Sequence, residues 1–426
     1  MYANSTRFRS ASLLLTGLIG LSSGVCAQSA APLPEGPYRG EFQTATGKVP
    51  FNFAVKGTTA YLLNAGEREA LPGIRQQGDS VFIAIPLYDA TLRFKREGNR
   101  LTGSYRAGSG QPIPVTAEFG RSDRYEQGAA PTVSLEGKWD IGIQRSAGNP
   151  ADVNQTVGVF SQQGSRVTGT ILTTTGDYRY LDGHVTGNRF ALSAFSGASP
   201  AVFQGEIGPD GKLTGEFRYV RGASPATGVK NPAAKLPDLY SLTYLKPGYK
   251  KLDFTFPAVN RGDESGKPVS LTDAKYKDKV VIVTILGSWC PNCIDETAFL
   301  APWYKANRQR GVEVIGLAFE RKNDLAFAKT ALSRLINRYD VQYDILFAGL
   351  ADKNVASAAL PALNKVLAFP TTIILDRQGN VAQIHTGYTG PATGTYYDEY
   401  VAEFNQTIDK LLRNEPLTAE TAHGGN

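Results

Sequence analysis

Two cysteines three positions apart, Cys290 and Cys293, are the residues of this chain best placed to do chemistry. They stand in Gly287-Ser288-Trp289-Cys290-Pro291-Asn292-Cys293, directly after the β-branched run Val280-Val281-Ile282-Val283-Thr284-Ile285-Leu286. A buried strand that turns into a helix at a Cys-X-X-Cys pair is how a dithiol/disulfide redox centre is built. The first sulfur then sits at the helix N-terminus, where unpaired backbone N–H groups and the helix dipole favour negative charge.

The rest of the cysteine inventory supports a redox reading. Residues 1–27 read as a signal peptide, with Arg7 and Arg9 as the charged flank and Ala11 to Gly24 as a short apolar core. Val25 and Ala27 supply the small residues expected before a cut, so Cys26 leaves with the signal; the competing reading is lipid attachment at Cys26. An exported protein stabilised by disulfides spreads several cysteines at wide spacing, whereas this one keeps a single close pair. Two cysteines cannot make a four-cysteine zinc site, and His184, His385 and His423 fall in no spaced motif, so neither a metal nor another cofactor is expected.

With 426 residues, the chain is long enough for two or three domains at about 150 residues each. Hydrophobic content of 42% and charged content of 20% are those of a globular protein. The net charge of +6 is spread along the chain with no Lys/Arg run, which argues against nucleic acid as a partner.

The elements that must position the pair begin at Phe254 and Phe256, a short strand, with Gly266 to Leu271 as a hairpin arm before the buried strand at Val280. A helix follows the cysteines to Gln309 and ends on Gly311. Val312 to Phe319 is a second apolar strand, and Asp324 caps a helix with Leu325, Ala328, Leu332, Leu335 and Ile336 on one face. Thr371 to Leu375 and Val381 to His385 form two strands about the turn Asp376-Arg377-Gln378-Gly379. A last helix carries Tyr397, Tyr400, Val401, Phe404, Ile408 and Leu411 on one side. This order is that of a thioredoxin fold: a mixed sheet with helices on both faces.

Upstream, residues 37–222 are rich in Gly, Thr, Phe and Tyr with alternating runs such as Val81, Ile83 and Ile85, the pattern of antiparallel strands. Asn99 to Arg106 resembles Gly211 to Arg218, and the halves open alike at Tyr38 to Phe42 and Leu135 to Trp139. The expectation is two all-β modules, each a barrel or sandwich, at 37–126 and 133–222. A proline-rich linker is expected at 223–250, an α/β thioredoxin-like domain at 252–413 and a loose tail at 414–426.

Three motifs in order give the C-terminal part a family resemblance: Trp289-Cys290-Pro291-Asn292-Cys293, Glu296 beyond the second cysteine, and Phe369-Pro370-Thr371-Thr372 at the start of a later strand. Residues 252–413 resemble the TlpA-type thioredoxin-like thiol:disulfide oxidoreductases, an exported group. The resemblance implies a cis Phe369–Pro370 bond that brings backbone groups of Phe369, Pro370 and Thr371 beside the dithiol for a substrate chain. Cys290, as the more exposed sulfur, attacks a substrate disulfide, and Cys293, one turn deeper, resolves the mixed disulfide. Trp289 and Pro291 flank the substrate surface. Glu296 is the carboxylate to manage the proton of Cys293, or else an ordinary first-turn acid. Many thioredoxins carry a buried acid where this chain has Thr284, which shifts the proton burden to Glu296 or to water.

The expected partners are a disulfide-containing protein substrate, a membrane or periplasmic thiol electron donor, and an envelope ligand for the β modules, with a periplasmic or cell-envelope location. A thiol peroxidase is the competing enzyme. Its peroxidatic cysteine usually follows Thr or Ser by three places and Pro by seven, where this chain has Gly287 and Val283. The other alternative is an envelope binding protein in which the β modules carry the main role.

Overall fold

The computed structural model describes residue 1 and residues 32–146 and 149–417. The signal-peptide segment with Cys26, and the tail beyond residue 417, lie outside the described residues.

The first module is an antiparallel meander of nine strands between Gly36 and Phe119. Its first strand, Gly36–Thr44, pairs with the next, Gly47–Lys56, and with the last, Ile113–Phe119, which curls the sheet on itself. The ladder stops between Glu67–Pro72 and Arg75–Gln77, so the module is a half-open barrel. Alternation places Val81, Ile83 and Ile85 inside, against Phe42, Phe51 and Phe53. Phe195 from the second module enters the same core and meets Phe42 edge-on at 4.7 Å, which joins the two modules.

The second module closes fully, because Asn149–Gln163 pairs with both Gly137–Ser146 and Arg166–Thr173. Here the structure corrects the sequence reading. Residues 223–230, expected as the start of a linker, form the strand Ala223–Lys230, which lies between Leu213–Arg218 and Gly137–Ser146 and completes the barrel. Pro225 is tolerated because it lies just outside the stretch, Ala226 to Lys230, that pairs with Gly137–Ser146. From Asn231 the chain runs along the third domain, where Leu239 accepts the backbone N–H of Thr386 at 3.0 Å and Leu245 bridges Leu363.

The third domain contains β1 (Val280–Leu286), α1 (Pro291–Asn307), β2 (Val312–Glu320), α2 (Leu325–Tyr339), β3 (Asp344–Leu350), α3 (Lys353–Ala359), β4 (Thr371–Leu375), β5 (Val381–Thr386) and α4 (Thr395–Leu412). The sheet order is β3-β2-β1-β4-β5, parallel over β3, β2 and β1 and antiparallel beyond. Val280, Ile282 and Leu286 of β1 face a core shared with α1, α2 and α4. Val281, Val283 and Ile285 face α3 and the hairpin formed by Thr255–Pro257 and Pro268–Ser270. A strand buried on both faces has no polar alternation, which is why β1 reads as an unbroken apolar run.

Candidate functional site

The site grows from the turn between β1 and α1. Cys290 is the N-cap of α1, and its Sγ accepts the backbone N–H of Cys293 at 3.3 Å. Pro291 follows at the first helical position, where its missing N–H has no intrahelical partner to lose. The turn is anchored from β2: Glu320, itself buried, accepts both the backbone N–H and the hydroxyl of Ser288 at 2.8 Å. Trp289 donates its indole N–H to the Phe319 carbonyl at 3.0 Å and meets Phe369 edge-on at 5.4 Å. At Gly287 there is no room for a side chain, since a β-carbon would lie 2.8 Å from the Phe319 carbonyl oxygen.

Across the dithiol, the Phe369–Pro370 bond is cis, and the Cys290 thiol donates to the Phe369 carbonyl at 3.2 Å. Trp289, Cys290, Pro291 and Phe369 are thus brought together. Thr371 is not offered to the surface: fully buried, it donates its hydroxyl to the Ala368 carbonyl at 3.0 Å and shapes the approach to Pro370.

Glu296 lies one turn past Cys293 on the same face of α1 and is 1% exposed. Burial pushes its carboxyl up to about 7, against hydrogen bonds from Thr284 and Thr372, each of which holds one carboxyl oxygen. Thr284 and Thr372 oppose each other across β1 and β4, so they present hydroxyls to the same face. Thr284, noted in the sequence only for the acid it replaces, is therefore a partner of Glu296. Burial also raises the Cys293 thiol well above its ordinary range, with Cys290 and Glu296 adding to the effect. These groups share one buried site.

As expected, Cys290 is the more exposed of the two sulfurs, at 6% against 0% for Cys293, though it too is buried. The β modules cover it. Leu87 and Tyr88 of the first module pack on the core that includes both cysteines. In the second module, Gly176 sits so close to Asn292 that a β-carbon there would lie 1.8 Å from the amide nitrogen. Arg179 bridges Asp295 of α1 at 3.0 Å and Glu67 of the first module at 2.5 Å, and Asp177 accepts the Gly390 N–H at 2.9 Å. Burial pushes Asp295 up to about 7 against the pull of Arg179. None of Tyr88, Gly176, Arg179, Asp295 or Glu320 carries a local motif, so sequence reasoning passed over them, and Ser288 was quoted in its stretch without a role.

Among the described residues no group of three or more His, Cys, Asp and Glu could hold a metal ion. No described helix is long and apolar enough to cross a membrane.

The mixed sheet, the flanking helices and a Cys-X-X-Cys pair at the start of α1 define the C-terminal part of the chain as a thioredoxin-like domain. Residues 247–384 match the AhpC/TSA family, and this part of the chain is a redoxin domain of that family. It is homologous to the thiol-disulfide oxidoreductases ResA. Identity to the Bacillus subtilis protein is 27% over 125 residues, which cover 29% of this chain and 62% of that protein. Identity to ResA of Bacillus thuringiensis is 27% over 139 residues, covering 33% and 70%. Among solved structures, a putative thiol:disulfide interchange protein DsbE from Chlorobium tepidum matches with a TM-score of 0.30 and 20% identity, covering 40% of this chain and 99% of that one.

Proposed function

We propose that the protein is an exported thiol:disulfide oxidoreductase that reduces disulfides in protein substrates through Cys290 and Cys293. The observation that carries this reading is the buried carboxyl of Glu296, poised near 7 on the same face of α1 as the dithiol. In the first step the Cys290 thiolate attacks a substrate sulfur; a Cys290–substrate disulfide forms and one substrate thiolate leaves. In the second, Glu296 takes the proton of Cys293, whose thiolate attacks Cys290 Sγ. The Cys290–Cys293 disulfide forms and the second substrate thiolate leaves and is protonated. Two electrons have then passed to the substrate and the proton of Cys293 to Glu296, and a thiol electron donor must return the enzyme to the dithiol. Trp289, Phe369 and Pro370 supply the surface on which the substrate disulfide lies. The charged flank and short apolar core of residues 1–27 support export, and with it a reaction in the periplasm or cell envelope.

Reduction of insulin in the presence of dithiothreitol, followed by turbidity, tests the reading. The native chain should accelerate the reaction and the Cys290→Ala variant should not; equal rates would overturn it. Rapid peroxide consumption that depends on Cys290 would favour the thiol peroxidase instead.

A further inference from the structure

A base that takes the Cys293 proton must also give it up, yet Glu296 is enclosed, with both oxygens held by threonines. On one side Thr284 stands beside Gly316 of β2, which has no side chain to carry a proton onward. On the other, Thr372 of β4 stands directly opposite His385 of β5. Thr284, Thr372 and His385 therefore form one polar row across β1, β4 and β5, on the face covered by α1 and α4.

Thr372, His385, Tyr240 and Tyr400 wall a cavity of about 10 Å³, the room of a single water. The His385 ring lies 4.8 Å from that of Tyr240 and 5.0 Å from that of Tyr400. Its Nδ1 is 3.0 Å from the Gly387 carbonyl oxygen, which can only accept, so Nδ1 carries the hydrogen and Nε2 keeps its lone pair. Burial pushes His385 down to about 4, so the ring is neutral at ordinary pH. Tyr240 donates to Glu403 at 3.0 Å. Tyr240, His385, Tyr400 and Glu403 also line an open cleft of about 660 Å³ between α4, the second barrel and the segment after it.

We propose that the proton of Glu296 leaves through the Thr372 hydroxyl, a water in this cavity and the Tyr240 hydroxyl to Glu403, which releases it into the cleft. His385 and Tyr400 are positioning residues that hold the water. Each hydroxyl passes one proton on as it receives one, so the route carries one proton outward and leaves its members unchanged. This route rests on the assignment of Glu296 as the base. The ionisable neighbours of Glu296 are Cys293, Tyr343, Tyr388 and Tyr400, and those of His385 are Asp238, Tyr240 and Tyr400.

The test mixes the reduced full chain with an aromatic disulfide that releases a coloured thiolate at attack and again at resolution. In the native chain, resolution should be a single phase at every pH. In Tyr240→Phe and Glu403→Gln a second phase, about tenfold slower, should appear near pH 6, where Glu296 starts protonated, and vanish near pH 9. Imidazole, small enough for the cleft, should restore the fast phase in Tyr240→Ala, which a purely structural role of Tyr240 would not allow. A single native-like phase near pH 6 in both Tyr240→Phe and Glu403→Gln, with Glu296→Gln slow throughout, would overturn the route and leave the base in place. Native rates in Glu296→Gln would overturn the base assignment and the route together.

Discussion

Glu296 carries an acid's charge in a place that disfavours it, and its two threonines decide how far. Burial raises the carboxyl, and the hydroxyls of Thr284 and Thr372 favour the charged form and pull it back to about 7. In the proposed role as base Glu296 acts only when ionised, so the Cys293-dependent step should quicken as pH rises through about 7. In Glu296→Gln that limb should disappear and the rate above it fall about a hundredfold. Thr284→Val removes one stabilising donor, so the limb should move to higher pH, by about one unit. A pH–rate profile of disulfide reduction for the three proteins checks both outcomes. At this scale the spacing of Cys290, Cys293 and Glu296 was legible, because helical geometry puts positions three apart on one face. The threonines were not, because their meeting depends on the register of β1 against β4, which no short stretch of sequence carries.

The turn that holds the dithiol is only as well placed as the strands beneath it, and β3 is tied to the rest by Asp344. Burial alone would raise this carboxyl, but hydrogen bonds from Arg261, Lys275 and Tyr276 outweigh it and hold it at about 2. Its value in the fold lies below its unfolded one. The stability it contributes is therefore full above 3.8 and is lost as pH falls through about 2. Asp344→Asn should cost about 2 kcal/mol at neutral pH, discounted for the partial exposure of Lys275 and Arg261, and should flatten the acid limb of stability. Denaturant melts of both proteins between neutral and acid pH measure it. The strand β3 was itself absent from the sequence reading, since Asp344 to Leu350 is a contiguous apolar stretch with no period to separate strand from helix. The strand Ala223–Lys230 was hidden for a different reason: Pro225 reads as linker until it is known to pair on one side only, before the stretch that pairs with Gly137–Ser146.

The whole molecule does something that no element of it announces: two β modules close over the dithiol. Arg179 holds three parts together, with Glu67 from the first module, its own second module and Asp295 of α1. The partners lie far apart in the chain, so their meeting was not legible in local pattern. Removing Arg179 leaves two carboxylates facing a closed contact with no cation between them. In Arg179→Ala, Cys290 should react with iodoacetamide about tenfold faster than in the native chain, the equivalent of roughly 1.4 kcal/mol of lost closure. An unchanged labelling rate would show that the modules do not control access. A protonated Asp295 pairs less well with Arg179, so labelling of the native chain should also gain relative to a free thiol control as pH falls below about 7.

If Cys290 attacks and Cys293 resolves, removing Cys293 should stop the reaction between the two steps. The reduced Cys293→Ala variant is mixed with a disulfide-bonded peptide, and the adduct is mapped by mass spectrometry of proteolytic fragments. The expected product is a stable mixed disulfide at Cys290 that dithiothreitol releases. Failure of this variant to form any adduct, while Cys290→Ala forms one at Cys293, would contradict it.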